Sequence, residues 1–229
     1  YNGIQPVFFG NGENASVTCE NVESRGLKGM SCDICLKGKM AENGEFQKFH
    51  VEIPMPGRHM VSNALAAAAI GRLYGLNAEQ IKNGIESLEP VSGRFNMIET
   101  DKFMIVDDCY NANPVSMKSS IEVLSHAKGR TIAVLGDMGE LGSDEKKLHH
   151  EVGEAVGENH IHTLFAAGEL AKEYAAGAAE KSSDVDIHYF EDRETMTQEL
   201  LSYVKEGDTI LVKASHFMEF PKVVEALSK

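Results

Sequence analysis

The 229-residue chain is 42% hydrophobic and 25% charged, enough apolar material for one large domain or two small ones. Its formal net charge of −13 argues against a nucleic-acid partner, because polyanion binding draws most of its affinity from Lys and Arg neutralising phosphates, although a single nucleotide can still bind locally. No apolar run approaches the ~20 residues needed to cross a bilayer, and Tyr1-Asn2-Gly3-Ile4 lacks the basic and apolar regions of a signal peptide, so a cytoplasmic protein without membrane insertion is expected.

Residues 1–56 interleave short β-prone runs, at 5–9, 15–18 and 46–53, with Gly- and Asn-rich turns. Asn43-Gly44 reads as a hairpin signal because both residues tolerate positive φ, and a small, mostly antiparallel sheet is expected. Cys32-Asp33-Ile34-Cys35 has the gap of a zinc or redox motif, but no second pair completes a metal site. Its Gly- and Lys-rich surroundings suggest a hairpin holding reduced structural thiols. Residues 61–74 are dense in helix formers and stop at Gly75, a C-cap signal, and a second helix over about 78–87 follows Asn77 as N-cap. The Pro-, Ser- and Gly-containing stretch 89–93 is the best linker, which sets expected domains at 1–88 and 89–229.

Beyond the linker, apolar strands at 103–107, 131–136, 163–167, 187–190 and 209–213 alternate with helical stretches at about 114–127, 145–158, 169–180, 193–205 and 217–228. That rhythm predicts an open, doubly wound α/β domain with a mostly parallel sheet. In such a sheet the loops leaving the carboxyl ends of the strands line the ligand crevice, so residues just after each strand carry the functional reading.

The first such loop is Asp107-Asp108-Cys109-Tyr110-Asn111-Ala112-Asn113, ahead of Pro114. An N-cap at Asn113 with Pro114 in the first turn uses only one of its polar side chains. A second, Gly136-Asp137-Met138-Gly139-Glu140-Leu141-Gly142, lacks the G-x-G-x-x-G spacing of a dinucleotide fingerprint. Its carboxylates would repel a pyrophosphate, so an ammonium group, a divalent ion or a plain turn suits it better. Lys213-Ala214-Ser215-His216 sets a cation and a hydroxyl at a helix start, which suits an anion; the plainer alternative is Ser215 as an N-cap and Lys213 in solvent. His59 and Asn63 lie four apart and share a helix face, the usual place of caps. His149 and His150, in a charged helix, are expected to be solvated.

In order along the chain, Gly57-Arg58-His59-Met60-Val61-Ser62-Asn63-Ala64, Ser92-Gly93-Arg94-Phe95, the loop from Asp107 to Pro114, the loop from Gly136 to Gly142, and Leu211-Val212-Lys213-Ala214-Ser215 resemble the Mur ligases. The likeness runs across nearly all of the sequence. It implies an ATP-dependent ligase of peptidoglycan-precursor synthesis, hence of cell-wall biogenesis, cell shape and division. The implied cofactors are ATP and Mg2+, and the implied partners are UDP-N-acetylmuramoyl-tripeptide and D-alanyl-D-alanine, joined through an acyl phosphate; a monomer is expected.

The resemblance makes residues 1–88 the C-terminal part of a central ATP-binding domain, a small antiparallel sheet plus helices, and residues 89–229 a Rossmann-like C-terminal domain. The phosphate-binding G-x-x-x-x-G-K-[ST] loop does not occur in the sequence, so a fragment inactive alone is expected. His59, Asn63, Arg94 and Asp108 are implied for ATP, with Asn63 on the adenine and Asp108 on the ribose hydroxyls. Tyr110, Asn111, Asn113, Asp137, Glu140, Lys213 and Ser215 are implied for D-alanyl-D-alanine, the carboxylates facing its ammonium and Lys213 with Ser215 its carboxylate. No catalytic residue and no metal ligand is assigned. His216 stands where the family usually carries arginine, and an imidazole is only partly charged near neutrality. The alternative of a different class is a stand-alone nucleotide- or peptide-binding module without catalysis; an NAD-dependent enzyme would rest on the parallel sheet alone.

Overall fold

Residues 5–229 are described in this computed structural model; residues 1–4, read above for a leader, lie outside them. The chain divides into two compact units, one ending at Glu89 and one running Pro90–Lys229.

The first unit is built on an antiparallel sheet of β1 (Val17–Ser24), β2 (Met30–Lys37) and β3 (Phe46–Ile53), in that order. Side chains alternate along a strand, and Met30, Cys32, Ile34 and Leu36 of β2 turn one buried row toward α1 (Arg58–Leu73). That helix answers with Met60, Val61, Ala64, Leu65 and Ala68, an apolar stripe at helical spacing. It begins at Arg58 and ends beside Gly75, whose φ of +84° is the left-handed turn that Gly permits. Next, α2 (Ala78–Glu86) opens with a reciprocal capping box between Asn77 and Gln80.

The structure corrects one expectation for this unit, the β-prone run at 5–9, and bears out another: residues 32–35 lie in β2, which forms antiparallel hairpins with β1 and β3, so Cys32 and Cys35, three positions apart, point to opposite faces. All four cysteines are free, and burial pushes the Cys32 thiol up to about 12. Residues 5–9 form no strand beyond a single bridge from Phe9 to Val17. Of the Asn43-Gly44 pair only Gly44 takes positive φ, +77°; Asn43 Oδ1 instead accepts the Glu45 amide at 3.0 Å.

The second unit holds a six-stranded sheet in the order β4-β5-β9-β6-β7-β8. Its strands are β4 (Asn96–Glu99), β5 (Met104–Asp107), β6 (Thr131–Gly136), β7 (Thr163–Ala167), β8 (Asp186–Phe190) and β9 (Thr209–Lys213). All pair in parallel except β4, an antiparallel edge strand that the sequence reading did not include. Helices α3 (Pro114–Ser125), α4 (Glu145–Glu158) and α5 (Ala171–Lys181) pack on one face through Met117, Ile121, Val152, Val156 and Tyr174 against Ala133, Leu135 and Leu211. On the other face, α6 (Arg193–Tyr203) and α7 (Pro221–Leu227) bring Met196, Leu200 and Val223 onto Ile132, Val134 and Val212. Neighbouring residues of one strand thus serve opposite cores, which is why these strands are apolar throughout.

Candidate functional site

The last strand in sequence is third in the sheet. Because β9 lies between β5 and β6, the loops 107–113, 136–144 and 213–220 leave three adjacent strands at their carboxyl ends. Moreover, β5 and β6 lead to helices on one face while β9 leads to α7 on the other. Diverging connections of this kind open a crevice above a parallel sheet.

Lys213 sits at the centre of the cluster. Its ammonium donates to Asp108 Oδ2 at 2.6 Å, to the Asn111 carbonyl at 3.1 Å and to the Asp108 carbonyl at 3.4 Å. An ammonium has three protons to give, so this one is fully engaged in shaping the first loop. Asp108 Oδ2 also accepts from Ser120 Oγ at 2.7 Å, and Oδ1 accepts the Phe95 amide at 3.1 Å. Asp107 Oδ2 accepts the Gly93 amide at 2.9 Å, while the Gly93 carbonyl accepts the Tyr110 amide at 2.9 Å. Residues on both sides of Arg94 are therefore fastened to the Asp107–Asp108 loop. The guanidinium itself lies over the Tyr110 ring, 4.0 Å from its centroid, a cation–π contact. Phe95 adopts a left-handed φ of +54°, which is uncommon outside Gly and held only where the surroundings impose it.

The loop 136–142 is anchored through the peptide groups of its first half, Gly136 to Gly139. Tyr174 Oη donates to the Gly136 carbonyl at 3.0 Å, and the Ser215 amide donates to the Asp137 carbonyl at 3.1 Å. The Met138 amide donates to His149 Nε2 at 2.9 Å and the Gly139 amide to Ser215 Oγ at 2.9 Å. His149 Nδ1 lies 2.7 Å from the Glu145 carbonyl, which can only accept. Nδ1 therefore carries the proton and Nε2 the lone pair, so the ring is neutral. His149 is fully buried, correcting the expectation that it is solvated. The signal was its place three and seven residues before Val152 and Val156 on the apolar face of α4.

Asp137 is 8% exposed. Its Oδ2 accepts the Leu170 amide at 3.2 Å, beside the start of α5, whereas Oδ1 is buried without a partner. Burial pushes its carboxyl above the ordinary range, against the opposing pull of the backbone amides at the start of α5. Gly168, at φ +130°, permits the approach: a Cβ there would lie 2.4 Å from the carboxylate. Glu140, by contrast, is exposed and left-handed at φ +62°.

The other sequence-derived positions divide plainly. Asn113 caps α3 in a box with Ser116, Asn111 Oδ1 accepts the Ala112 amide at 2.9 Å, and Tyr110 is 56% exposed. Ser215 is buried and makes no side-chain cap bond; it ties two loops together instead. His59 and Asn63 lie exposed at the start of α1, in the first unit. Ser120 and Tyr174 join the cluster without having been singled out in the sequence, and His149 joins it although the sequence placed it in solvent.

Residues 93–216 match the Mur ligase, glutamate ligase domain. The chain belongs to the Mur ligase family. This Mur ligase chain is 34% identical over 178 residues to the UDP-N-acetylmuramoyl-tripeptide–D-alanyl-D-alanine ligase of Bacillus subtilis (strain 168), covering 76% of this chain and 39% of that protein. It is 35% identical over 181 residues to the same-named ligase of Escherichia coli (strain K12), covering 78% and 39%. Among solved structures it is similar to MurF from Acinetobacter baumannii, with a TM-score of 0.78 and 28% identity over 96% of this chain and 46% of that one. It is also similar to MurF ligase from Thermotoga maritima in complex with ADP, with a TM-score of 0.74 and 27% identity over 97% and 48%. The chain spans about two fifths of the length of the curated relatives it matches. Among the described residues no helix is long and apolar enough to cross a membrane.

Proposed function

We propose that this chain serves a cytoplasmic, monomeric ligase that joins D-alanyl-D-alanine to UDP-N-acetylmuramoyl-tripeptide at the expense of ATP. In this reading residues 1–88 belong to the central ATP-binding domain and residues 89–229 form the C-terminal domain. The observation that carries it is the insertion of β9 between β5 and β6, which gathers Arg94, Asp108, Tyr110, Asn111 and Glu140 into one loop cluster in a chain whose relatives bear that name.

The residues present suit a nucleotide in part. Arg94 is exposed and stacked, ready for a phosphate. Asp108 Oδ1 accepts one backbone bond, leaving acceptor capacity for a ribose hydroxyl. Asn63, with His59, offers a carboxamide to the adenine. ATP supplies the phosphoryl group that activates the tripeptide carboxylate. They do not suit Mg2+: Asp107, Asp108 and Asp137 each accept from internal donors, so no open oxygen cage forms in the cluster. Among the described residues the one trio with converging ligand atoms, His150, Glu154 and Glu180, lies on α4 and α5, where Lys181 already neutralises Glu154 at 2.9 Å.

On the dipeptide side, burial and internal hydrogen bonding support a division of roles among the candidates. Asp137 is sealed, so Glu140 is the carboxylate that meets the incoming ammonium. Asn111 and Asn113 spend their side-chain oxygens internally and present amide donors to the dipeptide carboxylate, with Tyr110 beside them. Lys213 and Ser215 act from beneath, by holding the loops. Binding and orientation of the amine against the activated carbonyl carbon is the main catalytic contribution of such a cradle. The test is phosphate release by the complete ligase, which should need ATP, the UDP-linked tripeptide and D-alanyl-D-alanine together. Release at an equal rate with a single amino acid in place of the dipeptide would reject the proposal.

A further inference from the structure

We propose that His149 and Tyr174 are positioning residues that fix the peptide groups flanking Asp137 and thereby present Glu140 to the amino substrate. This rests on the reading of Glu140 given above. Neither side chain can touch a ligand, since both are fully buried.

Tyr174 holds the carbonyl before Asp137 and His149 the amide after it, at 3.0 and 2.9 Å. The two rings pack on each other with centroids 4.9 Å apart. His149 is itself oriented by the Glu145 carbonyl, so its acceptor nitrogen has one direction. A buried amide is costly to leave unpaired, and a turn containing Gly136, Gly139 and Gly142 would otherwise sample many conformations. The left-handed backbone at Glu140 is the kind of disfavoured geometry that persists only where neighbours over-determine it. Two residues upstream of it, the Met138 amide has His149 as its partner.

The complete ligase separates this from a packing effect. His149→Leu removes the acceptor, His149→Gln keeps an acceptor oxygen near the Nε2 position, and Tyr174→Phe removes a single hydroxyl. Circular dichroism and thermal melting select folded variants, and KM is measured separately for D-alanyl-D-alanine and ATP. His149→Leu and Tyr174→Phe should each raise KM for the dipeptide by roughly 5- to 10-fold, the size of one lost buried hydrogen bond, with KM for ATP within about twofold. His149→Gln should restore most of the loss. If His149→Leu fails to fold, Tyr174→Phe and His149→Gln still decide, because both keep the packing. A Gln variant no better than Leu, or a Tyr174→Phe enzyme with unchanged dipeptide KM, overturns the inference. Glu140→Gln is the companion measurement: if it leaves dipeptide KM unchanged, the reading of Glu140 fails; if it raises KM while the His149 and Tyr174 variants do not, only the positioning claim fails.

Discussion

Lys213 Nζ lies 2.6 Å from Asp108 Oδ2 across 105 positions of sequence, with side chains only 3% and 13% exposed. Pairs this well sealed are costly to break from one side, because the remaining charge stays buried without its partner. Lys213→Met should therefore destabilise the second unit by about 3–5 kcal/mol, read as a lowered urea midpoint for its transition. A loss under about 1 kcal/mol would show that the loop relaxes to hydrate Asp108.

The same pair governs how Asp108 must be tested. Asp108→Ala strands Lys213 and loses the anchors to Phe95 and Ser120, so its effect on ATP use would be mixed with misfolding. Asp108→Asn keeps the shape and one acceptor. In the complete ligase it should raise KM for ATP several-fold while leaving KM for D-alanyl-D-alanine near its original value. Equal KM for ATP in the two enzymes would remove Asp108 from the nucleotide contact.

Two glycine substitutions should have opposite signs. Gly168→Ala meets the Asp137 carboxylate at 2.4 Å and a φ of +130°, so a loss of roughly 2 kcal/mol or more is expected. Gly84→Ala, inside α2 with nothing within 4 Å, should gain about 0.5–1 kcal/mol. Thermal melts of both variants check the pair.

Asp137 links the loop to pH. Its folded carboxyl sits above the ordinary value of 3.8, so between that value and the folded one the native state holds more protons than the unfolded chain. Stability contributed by this group is thus greatest at low pH and falls as pH rises through that window. Asp137→Asn still accepts from Leu170 but carries no charge. The stability of the variant relative to the original should increase from pH 4 upward and then level off (~pH 7 as the upper limit of the series). A difference that stays flat across urea titrations in this range would contradict the assignment.

Thiol reactivity reports on the strand placement of the cysteines. With Cys32, Cys35 and Cys109 buried and burial raising all four thiols, an aromatic disulfide reagent should label the native chain slowly and the denatured chain at all four positions. Rapid loss of two thiols as an internal disulfide would contradict the opposite-face geometry of Cys32 and Cys35.

The second unit was more legible in the sequence than the first. Strands covered on both sides become apolar runs such as Thr131-Ile132-Ala133-Val134-Leu135, which stand out against the helices between them. Strand β4 did not, because four residues with alternate burial carry little signal. In β2 the alternation of Met30, Cys32, Ile34 and Leu36 was present, but flanking Gly and Lys and the polar Asp33 obscured it. Residue types at the loops announced polar chemistry, yet their division of labour did not follow. That Asp137 is sealed and Glu140 exposed, or that Lys213 serves Asp108, depends on which strands are neighbours. Sheet order is a long-range property that no local pattern encodes.

The placement of β9 also bears on how the protein is made. On a ribosome β5 and β6 emerge early, but they cannot lie side by side in their final arrangement, because the strand that separates them follows only after β7 and β8. Until then their edges stay open, a state prone to mispairing and aggregation. Lys213, at the end of that late strand, arrives with it, so a nascent chain cut short before residue 209 lacks both the strand that joins β5 to β6 and the ammonium that ties down the loop after β5.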